Sequence, residues 1–445
     1  MTGAARLAAA SLSVASLIAA TPARSQQPIR FQEAVAQAVR AAAAVDLAAL
    51  RVKEAEARAG QARAALLPGL SGSAFDSDRT FNLKSLGISF PTVPGSGGLP
   101  DLQGPVESVD ARVRATTTVL DLSSLLRVRA AGQGVRASQA DREVAAELAA
   151  ENAAIAYLRA ARAQALVGAR VGDARIAAEL LELAEARQQA GTAPAIDTTR
   201  ARTELVAAQG ALLVARNQAD RALIELARAL GADPASPPAL ADTLSESLGD
   251  SPAPAEPATA TAFALERRPE LGAERAVRAR ARAERSAISA ERLPRLDASV
   301  DWGVSGADWA EAFPTHQYGL AVTVPLLDGF RRESRLAEQS SQVRESEVRE
   351  RDLHDRIAAE VRAALLDVTS GRDQLGVAEE RLRLAEEELS QARDRFVNGV
   401  AGNIEIINAQ SSLVRARDAA IDARFTIGAS RVAAAHAAGV ARALR

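Results

Sequence analysis

The sequence predicts a mainly α-helical chain with a small membrane β-barrel: two internal repeats of long antiparallel coiled-coil helical hairpins, with four strands per chain. Three observations predict it. Apolar residues Leu296, Ala298, Val300, Trp302 and Val304 alternate with Asp297, Ser299, Asp301 and Gly303, and a second alternation runs from Tyr318 to Val324. Residues 123–190 and 326–445 contain no proline, which leaves room for very long helices. Finally, the chain repeats itself, with Gly191 and Gly399 lying 208 residues apart.

Composition sets the limits. Of 445 residues 48% are hydrophobic but only 3% aromatic, and much of the apolar content is alanine, which favours closely packed helical layers over a thick globular core. There is no cysteine, so disulfides, thiol chemistry and cysteine-based metal sites are excluded. A formal net charge of −2 gives no footprint for nucleic acid, and the run Arg275, Arg278, Arg280, Arg282 and Arg285 is interrupted by Glu274 and Glu284, as a solvated helix face would be.

Taken in order, residues 1–25 read as a signal peptide. Arg6 is the positive end, Leu7 to Ala20 the apolar stretch, and Ala23 with Ser25 places cleavage before Gln26. With no cysteine after that site no lipid anchor can be attached, and no later segment is apolar enough to cross a membrane as a helix. Any crossing must be by strands.

Repeat 1 covers residues 26–232. A helix from Phe31 to Leu67 ends at Pro68, and a hairpin at about 69–120 follows. Its second strand is clear, Val109, Ala111, Val113, Ala115, Thr117 and Val119 alternating with Asp110, Arg112, Arg114, Thr116 and Thr118. The first, near Leu70 to Phe75, is weak. Pro91, Pro94, Gly95, Gly97, Gly98, Pro100, Gly104 and Pro105 predict a long exposed loop between them. A long helix then reaches a tip at about 190–193 and returns.

Prolines 234, 237, 238, 252, 254 and 257 mark a linker at 233–258. Repeat 2, residues 259–445, has the same layout, with a hairpin at about 295–325 and a tip at about 398–402. Offset 208 aligns Asp197 with Glu405, Ala201 with Ala409 and Leu205 with Leu413. Offset 226 aligns the two Leu-Pro pairs, the difference being the longer first hairpin loop.

The helices carry a heptad with one large and one small row. Val361, Val368, Leu375, Leu382, Leu389 and Phe396 form the first, and Ala364, Gly371, Ala378, Ala385 and Ala392 the second. Antiparallel hairpins joined at the two glycines would pack this way, leaving pairs such as Glu347 with Arg351 in water. An open sheet cannot sit in lipid, because its edge groups would be unsatisfied. Oligomerisation must close it, and three chains would give twelve strands, although these residues do not fix the number.

The doubled layout, the Leu-Pro pair before each hairpin, Pro325 to Gly329 opening a long helix, and the stretch Gly399 to Gln410 resemble the TolC-like outer-membrane efflux proteins over nearly the whole chain. The resemblance implies a homotrimer: an outer-membrane barrel in lipid with a periplasmic helical tunnel, serving as exit duct for an inner-membrane pump joined through a periplasmic adaptor. It implies that Gly191, Thr192, Gly399 and Val400 are tips that contact the adaptor. It also implies an aperture at Asp197, Arg200, Glu405 and Asn408, with Phe396 as its neighbour. The acid expected six residues past the second glycine is present as Glu405. Nine residues past, Asn408 and Arg200 depart from the acidic pattern, and Phe396 and Gln188 stand where the family often has Tyr. Arg200 is expected to pair with a neighbouring Asp197 or Glu405.

Simpler roles exist for the same residues. The two glycines suit helix termination, and Asp197 and Glu405 suit first-turn acids beside a helix dipole. An enzyme finds no support, since His316, His354 and His436 are far apart and no phosphate loop or nucleophile elbow follows a strand. No cofactor or metal is implied. The competing reading is a soluble periplasmic coiled-coil adaptor or scaffold, which would not need the two-faced strands.

Overall fold

The computed structural model describes residues 28–82, 85, 87, 102–245, 248–400 and 402–445. The signal segment and most of the first hairpin loop lie outside them.

Four strands, β1 (Gly69–Asn82), β2 (Leu102–Leu120), β3 (Arg295–Gly306) and β4 (Phe313–Thr323), form one antiparallel sheet in that order. Each repeat contributes a hairpin, and β2 pairs with β3 to join them. Strands β1 and β4 are the sheet's two edges. The weak first strand is in fact 14 residues long. The expectation that Gly104 and Pro105 belong to the loop is corrected, since both lie inside β2. The register slips between Arg79 and Phe81 opposite them. Proline has no N–H to donate, and an irregular ladder is where a strand tolerates it.

The helices are α1 (Phe31–Ala41), α2 (Ala43–Ala64), α3 (Leu122–Gln189), α4 (Ala195–Ala229), α5 (Pro257–Arg267), α6 (Pro269–Ala290), α7 (Arg331–Val397) and α8 (Asn403–Ala437). With 68 and 67 residues, α3 and α7 are each about 100 Å long at 1.5 Å per residue. No helix among the described residues is long and apolar enough to cross a membrane.

The single helix expected from Phe31 to Leu67 is two, because Ala42 is extended at φ −67°, ψ 134°. Arg268 breaks the matching helix of repeat 2 at φ −60°, ψ 118°, at the same 226-residue offset as the Leu-Pro pairs. There the cause is local, because Pro269 disfavours a helical residue before it. At Ala42 the cause is tertiary. Gly231, at φ +66°, passes so close that a Cβ would strike the Ala41 carbonyl oxygen, and a Cβ on its repeat partner Gly439, at φ +73°, would lie 3.0 Å from the Arg268 nitrogen. The return helix of each hairpin thus ends against the break. Arg268 is buried there, its Nη1 donating to Glu360 at 2.9 Å and to the His436 and Ala437 carbonyls at 3.3 Å. Those carbonyls are the negative end of α8, which a cation stabilises.

The main core lies at this level. Phe31 meets Tyr157 edge to face with centroids 5.5 Å apart, and Leu158, Leu226, Leu230 and Val432 close around them. Tyr157 also holds the linker, since its hydroxyl lies 3.0 Å from the Ile29 carbonyl oxygen and 3.1 Å from Asp242 Oδ2, which accepts the Phe31 N–H at 2.7 Å. Toward the tips the core narrows to the heptad rows. Val361, Ala364, Gly371, Leu375, Ala378, Ala385, Ala392 and Phe396 are buried along α7, against Ala409, Leu413, Ala416, Ala420 and Ile427 of α8.

Candidate functional site: a two-faced sheet and paired helical tips

Strand alternation sorts the sheet into two rows of opposite character. Leu70, Trp302, Leu320 and Val322 stand on the apolar face with 75%, 70%, 76% and 68% exposure. Yet Asp110 and Asp301, on the other face, are buried. In a water-soluble sheet the preference is reversed. The polar face holds its own charges in register. Arg114 Nε donates to Asp301 Oδ1 at 2.7 Å from the directly opposite position, Thr118 donates to Asp297 at 3.0 Å, and Arg112 pairs with Asp110. Such a sheet suits lipid outside and water inside.

At the far end of the long helices, Gly191 and Gly399 adopt φ +71° and +74°. The Gly191 N–H reaches the Gln188 carbonyl at 3.0 Å and the Thr192 N–H the Arg187 carbonyl at 3.0 Å. In repeat 2 Gly399 reaches Phe396 and Val400 reaches Arg395, at 3.0 and 2.9 Å. Both are Schellman endings, in which glycine alone takes the left-handed turn without strain. Thr192 and Val400 are exposed beyond them.

Asp197 and Glu405 lie in the first turns of α4 and α8, where the helix dipole favours acids. Their partners differ. Glu405 forms an ion pair with Arg395, Oε1 to Nε at 2.9 Å, whereas Arg200 stands 3.8 Å from Asp197 within one helix. Within this chain Arg200 therefore meets Asp197 and does not meet Glu405. Arg200 and Asn408 are exposed. Phe396 is buried with Leu180, Ala392, Ile406 and Ala409, in the core that joins the two tips.

Three residues that sequence reasoning missed tie these tips together. Arg187 lays its guanidinium 4.5 Å over the Phe396 ring and donates to the Phe396 carbonyl at 2.7 Å. Arg395, its partner at the 208-residue offset, instead holds Glu405. Buried Asn403 donates from Nδ2 to the Asp197 carbonyl at 2.9 Å. The repeat offset could have found the arginine pair, whereas nothing in the sequence marks Asn403. Higher up, α3 meets α8 through a buried charge cluster. Asp173 accepts from Arg170 at 2.8 Å and Arg417 at 2.9 Å, and Arg170 also pairs with Asp418. Burial pushes the Asp173 carboxyl up, against the pull of both arginines.

An inside-out sheet carried on paired helices about 100 Å long fits a protein of the outer membrane. Residues 34–232 and 262–440 match the outer membrane efflux protein family, to which this chain belongs. It is similar to the pyoverdine export outer membrane protein OpmQ of Pseudomonas putida, with 26% identity over 385 residues covering 83% of this chain and 77% of that one. Its fold is similar to the CmeC outer membrane channel of Campylobacter jejuni, with a TM-score of 0.77 at 18% identity over 92% of this chain and 86% of that one. The MtrE outer membrane channel of Neisseria gonorrhoeae gives 0.74 at 19% identity, over 92% and 89%. The protein is accordingly an outer-membrane efflux protein with a periplasmic helical portion. Its family and fold relatives are channels, so the soluble adaptor or scaffold is not favoured.

Proposed function

We propose that three copies of the chain close one twelve-stranded barrel over a helical tunnel, forming the passive, gated exit duct of a tripartite efflux or secretion system. In this reading an inner-membrane pump loads the duct and a periplasmic adaptor seats on the tips at Gly191, Thr192, Gly399 and Val400. Asp197 and Glu405, with Arg200 and Asn408 one turn on, ring the aperture, and their carboxylates favour cations.

One observation carries this reading: the sheet is open at β1 and β4 while its apolar face is exposed, a combination lipid tolerates only once the edges are paired. The flanks of the helical part agree. Val206 and Leu213 of α4 and Leu366 and Val377 of α7 are 63%, 66%, 71% and 72% exposed, as they would be if α4 met α7 of the next copy.

The test is the native particle. Outer membranes separated from inner membranes and extracted in mild detergent should yield unboiled particles of three chains. A monomer or dimer, or a protein found in the soluble periplasm, would overturn the duct.

A further inference from the structure

The junction between β4 and α7 carries a feature its counterpart in repeat 1 lacks. Asp121 passes straight into α3, its carboxylate accepting the Ser123 N–H at 2.8 Å. The corresponding Asp328 accepts the Arg332 N–H at 3.1 Å, and between them Gly329 and Phe330 both turn left-handed, at φ +66° and +63°. Among the described residues Phe330 is the only one besides glycine with positive φ. For a bulky side chain this is strained. The strain is not repaid inside the chain, because Phe330 is 70% exposed, beside Leu326 at 90% and Leu327 at 80%. The next residue, Arg331, is exposed and has no ion-pair partner among the described residues. At the foot of β1, on the opposite edge of the sheet, Leu67 and Arg63 are likewise exposed.

We propose that Leu326, Leu327 and Phe330 form a knob that enters the periplasmic leaflet of the outer membrane, with Arg331 on the phosphate of a phospholipid headgroup. Three observations favour lipid as the occupant. The knob continues the exposed apolar row Leu320, Val322, Val324 past the end of the strand, so it extends the face that suits lipid. Its apolar residues are followed at once by an unpaired cation, the order expected across a bilayer interface. After the left-handed pair Phe330 stays exposed and is not packed on the protein. Such a knob would give the sheet's lower edge a fixed depth in the bilayer. The inference rests on the outer-membrane location and not on the number of copies.

The absence of native cysteine makes the test clean. Full-length Phe330→Cys and Leu326→Cys, each labelled with a polarity-sensitive nitrobenzoxadiazole dye, are reconstituted in vesicles of phosphatidylethanolamine and phosphatidylglycerol. Ser341→Cys, on the exposed side of α7, is the control. A nitroxide near the carbonyl end of the acyl chains should quench most of the emission at 330 and 326 and little at 341. Raising the phosphatidylglycerol fraction should deepen the quenching at 330, and Arg331→Gln should remove that dependence. Blue-shifted emission that the lipid nitroxide leaves unquenched would mean that another copy of the chain covers the knob, and would overturn the proposal. So would the emission of a dye in water. Either result would leave a three-chain particle standing, so the two readings fail separately.

Discussion

Asn403 at the start of α8 donates to the main-chain carbonyl of Asp197 at the start of α4, at 2.9 Å. The two helix starts belong to different repeats, and this part-buried hydrogen bond fixes their separation. Asp197 thus contributes through its backbone to joining the tips and through its carboxylate to the charge beside them. Replacing its side chain therefore leaves the joint intact, whereas replacing Asn403 opens it.

Arg187 is expected to be the main fastener. Arg187→Ala loses the hydrogen bond to the Phe396 carbonyl and the cover over its ring, together about 1–3 kcal/mol of local stability. Hydrogen exchange should accelerate at residues around both tips while the Val361 to Leu375 stretch of α7 is unchanged. Equal rates in the variant would show that Asn403 and the Phe396 core suffice.

Charge at the aperture should respond in opposite directions to two substitutions. Glu405→Ala should weaken cation selectivity in single-channel recordings. Arg395→Ala, which frees Glu405 from its 2.9 Å partner, should strengthen it. Unchanged reversal potentials in both would remove Glu405 from the aperture. If conductance is unaltered in Arg200→Ala, its 3.8 Å approach to Asp197 holds nothing shut.

Gly231 admits no side chain. Gly231→Ala places a methyl against the Ala41 carbonyl in a left-handed backbone, and should cost about 2 kcal/mol or more. Denaturant unfolding of the detergent-solubilised protein reads this directly. Gly60→Ala, in α2 with open space around it, should be neutral or mildly stabilising.

Acid should loosen the contact between α6 and α7. Burial pushes Glu350 up, but its hydrogen bond from Arg275 and the charges of Arg278, Arg275 and His354 outweigh this and hold the carboxyl below its ordinary 4.5. A carboxylate held low stabilises the fold at pH values above its unfolded value, and that stabilisation disappears as pH falls through the folded one. Melting curves of the parent should therefore fall off more steeply below about pH 4.5 than those of Glu350→Gln. Parallel profiles would assign the acid sensitivity to other carboxylates.

Periodicity carried most of the architecture. The rows of α7 and α8 and the faces of β2, β3 and β4 follow from spacing alone, because burial in a helix pair or a sheet repeats with the backbone. What periodicity missed was set by contacts distant in sequence. Ala42 is an ordinary helix former that breaks a helix only because Gly231 lies against it. Gly104 and Pro105 look like loop residues, yet they sit in a strand whose ladder slips to admit them. At the tips, the glycines and first-turn acids carry local signals, whereas Arg187, Asn403 and the Asp173 cluster depend on which helices become neighbours.

The exposed apolar face and the two unpaired strand edges of the sheet also bear on how the protein reaches its destination. Outside a bilayer, one copy presents a greasy surface beside two rows of free amide and carbonyl groups, the combination from which sheets aggregate. A solitary chain crossing the periplasm therefore has no comfortable resting place in water. If further copies close the sheet as proposed, the protein's yield should depend more on how fast the bare sheet is covered than on the stability of its helices.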